Sequence, residues 1–579
     1  MSVLGFGRQL VPTHKEKNQE SENVFRAIQS NNLAQAVLSH QKTAEFYEML
    51  LNLGDNKEGH KCKETSQRYR ECGNISYRAK QFQEALIFYN KALLFAPNNS
   101  IEIKFAYSNR SLVFLENELA SACLSDIETI LSLGCPADLK AKLVKRKKQA
   151  LQYIHKEQLL KMIKSNSFAH KFFKLNLKCN PDIPCATADI EVVLKDNIPR
   201  VVAKKDIKAG TVLAVETAFV NAPHIGSHLH CCNYCNKISL NLIPCSGCCW
   251  VLFCSENCRD KCLQEYHSIE CIIQHEISCC SEEPNINLAL KATLKMKNIF
   301  KTWQDFIDAS LILGEDRISK SSVNEIFTQQ PSSLLSFSEK NHHLVYGKMY
   351  SVGSRCAFII KKLEEKVPSF FPREAKDKDA AIKSFATVLL YLAVYGTTVP
   401  LVLSAANVEE ANTSIHRYNC GLFPFCSKLK MSCNANTLTV SLNKELALVA
   451  VQPIVAGAEL TIPFMENWIL PDGADAKQKF IYQLYDTVCD CKSCVRKDHS
   501  SFLWRLNDLQ SATLKKLNPK KLNDNFDSNN AKEIFDRVCA KMHIFSDLPY
   551  TECNSVYALF RKCILHMQDM ITGNIILGD

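Results

Sequence analysis

The amino terminus has no apolar core. MSVLGFGRQLVPTHKEKNQE mixes charged and polar side chains throughout, which excludes a secretory signal of the usual form. The expected setting is therefore reducing, cytoplasmic and/or nuclear, where cysteines persist as thiols. A strong charge excess is also missing. Seventy basic against sixty acidic residues leave +10, too mild across 579 residues to indicate nucleic acid, though compatible with an acidic partner. Nor is there an unbroken apolar run of bilayer length. Ser384–Val408 carries no charge for 25 residues, but Gly396-Thr397-Thr398-Val399-Pro400 interrupts it and no basic cluster flanks one side alone. A buried helix, a break and a second apolar segment is the expectation, with no membrane span.

What the chain does have is cysteine, 28 in all. In a reducing setting, thiol spacing is read as metal ligation before disulfides. The remaining composition is that of a soluble globular protein, 46% apolar and 22% charged, and the length suggests three or four domains.

Residues 1–62 read as a polar helical segment. Residues 66–99 place Gly73, Ala85, Tyr89, Ala92 and Pro97 where two helices cross closely, aromatics fill gaps and proline ends the second helix. This stretch resembles a tetratricopeptide repeat. A weaker copy begins near Tyr107 and a further helix near Asp138. Such repeats need neighbours to bury their faces. Val-rich strand patterns follow at 188–220 and return at 437–464, with mostly helical sequence at 285–405 and in the tail, 501–579.

Between these segments the ligand-type residues run Cys232-x2-Cys235, Cys245-x2-Cys248, Cys254-x3-Cys258 and His267-x3-Cys271. Eight soft ligands at paired spacings make two tetrahedral sites, best suited to zinc. A second cluster, Cys489-x-Cys491-x2-Cys494, is one ligand short of a closed site.

The ligand order of the first cluster resembles the MYND zinc finger, whose ligands interleave. The resemblance implies one zinc on Cys232, Cys235, Cys254 and Cys258 and another on Cys245, Cys248, His267 and Cys271. Cys231, Cys249 and Cys262 fall outside the pattern. The surrounding sequence resembles the SET and MYND family of protein-lysine methyltransferases, in its tetratricopeptide-bearing branch, over roughly residues 60–500. Three stretches carry this likeness: Ala203–Gly210 with Glu216, Gly421-Leu422-Phe423-Pro424 through Asn436, and Gly457–Phe464. The resemblance implies that Cys433 supplies the fourth ligand to Cys489, Cys491 and Cys494, for about three zincs per chain.

The fold class is therefore expected to be α+β. Its implied parts are a helical segment at 1–62, tetratricopeptide-like repeats at 63–165 and a split SET β-fold at 185–231 and 272–486. An inserted MYND finger at 232–271, a post-SET zinc loop at 487–500 and a helical tail at 501–579 complete it.

Methyl transfer from S-adenosylmethionine, the cofactor that the resemblance implies, needs a polar cofactor cradle and a dry lysine channel. Several family positions differ here. Ile198-Pro199-Arg200 stands for a Gly-x-Gly turn, so side chains sit where backbone must approach the ligand. Lys430-Met431 stands for an Asn-His pair, and methionine cannot donate a hydrogen bond. A lysine cation opposes the sulfonium, or else reaches the cofactor carboxylate. Phe464 replaces a tyrosine, Thr487 an adenine-stacking aromatic, and Tyr485 matches the second active-site tyrosine.

The expected function is a zinc-stabilised protein-binding scaffold, regulating transcription or chaperone clients. The alternative is an active protein-lysine methyltransferase with a histone or non-histone lysine as substrate. The MYND resemblance implies peptide partners. Arg70, Asn74, Asn109, Lys142 and Arg146 match the positions of a basic/Asn clamp for chaperone C-termini, while Lys140–Lys148 also reads as a solvated face or an import tract.

Overall fold

The computed structural model describes residues 59–165, 168–175, 178–195, 198–223, 228–279, 284–311, 331–334, 345–395, 399–401, 419–464, 474–485, 488–495, 507–526, 530–545 and 554–572. The segment expected to be helical at 1–62 lies almost wholly outside these residues.

Helices come first. α1 (Lys63–Arg78), α2 (Phe82–Phe95), α3 (Ile101–Glu116), α4 (Ala120–Ser132) and α5 (Ala137–Ser165) form a consecutive array. Gly73 is required at the α1–α2 crossing, because a Cβ there would lie 2.5 Å from the Tyr89 ring. Tyr89, Ala85 and Ala92 are buried in the same core. The second helical pair starts earlier than Tyr107: Ser100 caps α3 by accepting from the Ile103 N–H at 3.3 Å.

The strand region holds two layers. β3 (Val212–Thr217), β10 (Thr437–Leu442) and β11 (Glu445–Ala450) form an antiparallel sheet with β11 in the centre. Along β11 the two-residue period separates two cores. Leu446, Leu448 and Ala450 join Leu213, Phe423 and Ile462 on one face. Ala447 and Val449 face the opposite way, into a core shared with the tail. There α13 (Ala531–Cys539) and α14 (Asn554–Thr572) contribute Phe535, Val538, Val556 and Phe560. The tail is thus a lid on the outer face of this sheet. Gly210, at φ +82°, permits the approach: a Cβ there would lie 2.7 Å from Cys539 Sγ.

Elsewhere β1 (Ile190–Lys195) pairs with β2 (Ile198–Ala203), and β8 (Asn419–Leu422) lies between β4 (Val220–Ala222) and β7 (Val399–Leu401). β9 (Lys430–Ser432) and β12 (Thr461–Pro463) pair in parallel, Met431 opposite Ile462. The cysteine-rich module contributes the two-residue ladder of β5 (Ile243–Pro244) with β6 (Leu252–Phe253), then α6 (Glu256–Cys262) and α7 (Gln274–Cys279). It packs in one core with α8 (Pro284–Ile299), α10 (Val345–Lys366) and α11 (Ala375–Tyr395), while α9 (Trp303–Ser310) adds Phe306. The uncharged run at 384–408 is divided as its break suggests: α11 ends at Tyr395 and β7 begins at Val399. Among the described residues, no helix is long and apolar enough to cross a membrane.

The N-terminal helices are joined to the cysteine-rich module by a buried arginine. Arg110 is fully buried on α3. Its guanidinium pairs with Asp126 at 2.6 Å and also donates to Asn90 Oδ1 (2.7 Å), the Leu242 carbonyl (2.6 Å) and Asn241 Oδ1 (2.8 Å). Leu94 packs beside Leu229, Leu242 and Leu252 at the same junction. Arg110→Ala would leave the Asp126 carboxylate buried and uncompensated. That substitution is expected to destabilise the protein by about 3–5 kcal/mol. Arg110→Met combined with Asp126→Leu should lose much less, as a double-mutant cycle in denaturant measures.

Candidate functional site

Three groups of side chains converge as metal ligands would: Cys232, Cys235, Cys254 and Cys258; Cys245, Cys248, His267 and Cys271; and Cys433, Cys489, Cys491 and Cys494. Within each group the ligand atoms lie within 4.8 Å of one another. A tetrahedron with metal–sulfur bonds near 2.3 Å has sulfurs about 3.8 Å apart. The observed separations approach this: 3.5 Å for Cys235–Cys254, 3.7 Å for Cys245–Cys271 and 3.3 Å for Cys433–Cys491. The donor sets, all thiol or thiol with one imidazole, fit zinc.

Local structure explains how the sequence reaches this geometry. The 245–248 ligand turn needs Gly247, where a Cβ would lie 2.6 Å from Cys271 Sγ. The Gly247 N–H donates to Cys245 Sγ at 3.3 Å. Ser255 caps α6 through the Cys258 N–H, placing Cys258 at the start of the helix. His267 is fully buried. Its Nε2 faces Cys248 Sγ at 3.7 Å, and its Nδ1 lies 2.6 Å from Glu270 Oε2. A carboxylate behind the ring holds the tautomer that presents Nε2 to a metal. Glu270 is steadied in turn by Lys291, 3.8 Å away.

The third group ties β9 to the 489–494 loop. The Cys433 N–H donates to Cys489 Sγ at 3.3 Å. Gln478, on α12 (Ala474–Tyr485), brackets the Cys489 backbone by accepting from its N–H (2.9 Å) and donating to its carbonyl (2.6 Å). Hydrogen bonding among the crowded sulfurs holds Cys489 well below the ordinary thiol range and pushes Cys433 well above it. Ionising all four thiols requires a cation among them.

β9 also carries Lys430 and Met431. Lys430 Nζ pairs with Asp490 Oδ2 at 2.7 Å, within the cysteine loop. Met431 packs against buried Phe464, Ile481 and Cys489. Arg200, on β2, pairs with Glu459 at 3.2 Å, and the Leu460 N–H donates to the Val201 carbonyl at 2.8 Å. Arg200, Lys430 and Met431 therefore flank one short segment, Glu459–Pro463, each already partnered. Tyr485 ends α12, but its side chain and Thr487 lie outside the described residues.

Glu216 fixes the turn before β9. This fully buried carboxylate on β3 accepts from the backbone N–H groups of Phe425 (2.6 Å) and Cys426 (2.8 Å). Burial pushes its carboxyl up to about 7, against the opposing effect of those hydrogen bonds and of Lys428.

In the N-terminal helices, Asn74 Oδ1 accepts from Asn109 Nδ2 (2.7 Å) and Tyr89 OH (2.9 Å). Arg146 Nη1 donates to the Ser108 carbonyl (2.6 Å) and Ser111 Oγ (2.7 Å). The Arg70 guanidinium lies 5.5 Å from the centroid of the Phe105 ring, and Lys142 is exposed. Asn74 and Asn109 are thus joined, whereas Arg146 is committed to α3. Lys140, Lys142, Lys145 and Lys148 are exposed, as the solvated-face reading of that run expects.

Sequence reasoning missed Glu270, Glu459, Gln478 and Asp490. A carboxylate three residues after a histidine ligand could have been noticed for Glu270, since that spacing returns to the same helical face. Glu459 acts across 259 residues and leaves no local signal.

The fold and its thiol groups define a mixed helix-and-sheet protein with three sites that could hold zinc. Protein-lysine N-methyltransferase SMYD4 from Danio rerio is 24% identical over 425 residues, covering 65% of this chain and 55% of that protein. The proteins of the same name from Homo sapiens and Pongo abelii are each 22% identical, covering 74% of this chain and 67% of theirs. The chain thus spans little more than half of the zebrafish relative and about two thirds of the others. No family model matches the chain. The likeness to these proteins supports membership of the SET and MYND domain family.

Glu270→Gln keeps the shape of the side chain but weakens its hold on His267. It should lower zinc affinity at the Cys245, Cys248, His267 and Cys271 group about 10–100-fold in chelator competition. For Glu216 the folded pKa lies above its ordinary value near 4.5. Its contribution to stability is therefore full below about pH 4.5 and lost as pH rises through about 7. Measured against Glu216→Gln at saturating zinc, the wild-type denaturation midpoint should fall relative to the variant between pH 5 and pH 8, by roughly the amount this window allows.

Proposed function

We propose that this chain keeps the zinc-stabilised architecture of a SET and MYND protein while its cofactor position is closed, and that it acts as a protein-binding scaffold. In this reading α1–α5 are tetratricopeptide-type repeats and the strands are a split SET fold around a MYND finger. The loop at 489–494 is a post-SET zinc loop. The observation that carries the reading is the state of β9. Lys430 is paired with Asp490 and Met431 packs on Phe464, where a cofactor would need polar groups free to bind it. The ion pair is partly exposed and contributes little by itself. Its effect is positional, because it draws Lys430 across to a loop that the thiols already fix.

When bound, S-adenosylmethionine would supply an electrophilic methyl group. The residues facing its expected place supply two cations, a thioether and a phenyl ring. Loss of each buried polar contact weakens binding by about 1–3 kcal/mol, and 1.4 kcal/mol is about tenfold. The partners of the scaffold would be proteins. The Leu229–Ser246 side of the finger is covered by α2, α3 and the turn between them, through Leu94, Arg110 and the Asn98–Ser246 bond at 2.9 Å. Peptides would therefore reach the finger from its other faces. A chaperone clamp on the helices would need Arg146 to leave Ser108 and Ser111.

The second reading is an active protein-lysine methyltransferase, and it rests on the names of the relatives. Isothermal titration with S-adenosylmethionine separates the two. Closure predicts a dissociation constant above about a millimolar. It also predicts at least about tenfold tighter binding in Lys430→Asn combined with Met431→His, which restores two polar groups. A low micromolar constant in the parent protein would sink the closed-site reading in favour of the enzyme.

A further inference from the structure

The ligand turn Cys245–Cys248 is held from outside its own module. Asn98, in the turn after α2, donates to the Ser246 carbonyl at 2.9 Å. On another side, the thiol of Cys249 donates to the Gly59 carbonyl at 3.1 Å. Gly59 is buried against the His275 ring, with no room for a Cβ between them. From Gly59 the chain passes to Lys61, whose Nζ donates to the Leu94 carbonyl at 2.8 Å. The Cys62 N–H then donates to the Phe95 carbonyl at 2.8 Å. Residues 59–62 thus run from beside the ligand turn to the C-terminal end of α2. Lys61 is half-buried, and the thiols of Cys248, Cys245, Cys249 and Cys271 all lie within its electrostatic reach. Burial pushes its ammonium group down from the ordinary lysine range, and those thiols, once ionised, oppose that.

We infer that the segment 59–62 is a zinc-dependent latch, in which Lys61 is the positioning cation that balances the group of Cys245, Cys248, His267 and Cys271. Zinc in that group and docking of the N-terminal helices would then strengthen one another, since linkage between two equilibria is reciprocal. The charges give the reason. Three thiolates outweigh one divalent ion, so the occupied group is anionic. Behind His267, Glu270 and Lys291 lie 3.8 Å apart and offset one another. The surplus is left to Lys61. Without metal the thiols take up protons, and the half-buried ammonium keeps a single carbonyl as its partner. A cation in that position is poorly compensated. A plainer role exists for the same bond, because the last carbonyls of a helix need donors and Lys61 supplies one at the end of α2. Capping alone requires no positive charge and gives no link to zinc. The latch needs zinc in this group and is independent of whether the cofactor position is closed.

The test is chelator competition on the full zinc-loaded chain, with hydrogen exchange at the Cys62 amide as a second readout. Lys61→Gln keeps a donor for the Leu94 carbonyl and removes the charge. It should weaken one zinc about tenfold and leave the others unchanged. The ion affected should be the one that Glu270→Gln also weakens. In the loaded variant the Cys62 amide should exchange about tenfold faster than in the parent protein. Lys61→Arg keeps the charge and should restore both values to near those of the parent. Unchanged zinc affinity in Lys61→Gln would leave Lys61 as a helix cap only and overturn the inference. An equal loss at every zinc, or a loss in Lys61→Arg as large as in Lys61→Gln, would overturn it as well.

Discussion

Four sulfurs drawn into one small volume repel one another once ionised, and as neutral thiols they gain little by meeting. Only a cation makes the arrangement favourable. The group of Cys433, Cys489, Cys491 and Cys494 therefore sets a constraint that much of the strand region obeys. It fixes β9 against a loop that lies 56 residues away in sequence from Cys433 to Cys489. With β9 held, Met431 is pressed onto Phe464 and Ile481, and Lys430 comes within reach of Asp490. On the proposed reading, closure of the cofactor position follows from the thiol site that fixes β9.

The other two thiol groups do similar work for the rest of the chain. They shape a module too small to have a large core of its own, and its apolar side merges with the core of α8, α10 and α11. On another side Arg110 reaches its backbone at Leu242. The module is therefore a joint between the N-terminal helices and the strand region. The tail has an equivalent role on the far side, covering the face of β10, β11 and β3 that would otherwise expose Ala447 and Val449.

How much of this could be read from sequence depended on distance along the chain. Ligand pairs such as Cys245 with Cys248 are local, so their spacing announces them. The period of the apolar residues marked the tail as helical and the 437–464 stretch as strands, because that period belongs to each element alone. Which surface the tail covers depends on strands that end by Ala450 and helices that begin at Ala531, and has no local trace. The same holds for Arg110, whose partners lie 16 and 132 residues away. A fully buried arginine is also the opposite of what composition suggests. Arg146 shows the limit of spacing arguments from the other direction. Its position four residues from Lys142 is right for a clamp, but its guanidinium turns inward to α3. The link from Cys433 to the distant cysteine loop came only from resemblance to a family, since the three-cysteine spacing by itself leaves the fourth ligand open.

The proposed function has architecture and chemistry come apart within a few residues. Cys433 holds the structure, while Lys430 and Met431, just before it on the same strand, present a cation and a thioether already engaged elsewhere. Native mass spectrometry of the intact chain in the presence of S-adenosylmethionine reads both halves of this claim in one spectrum. The account predicts a species carrying three zinc ions, one for each thiol group, with no retained cofactor. A chain that holds the cofactor through ionisation, or that folds with the Cys433 group empty of metal, would contradict it.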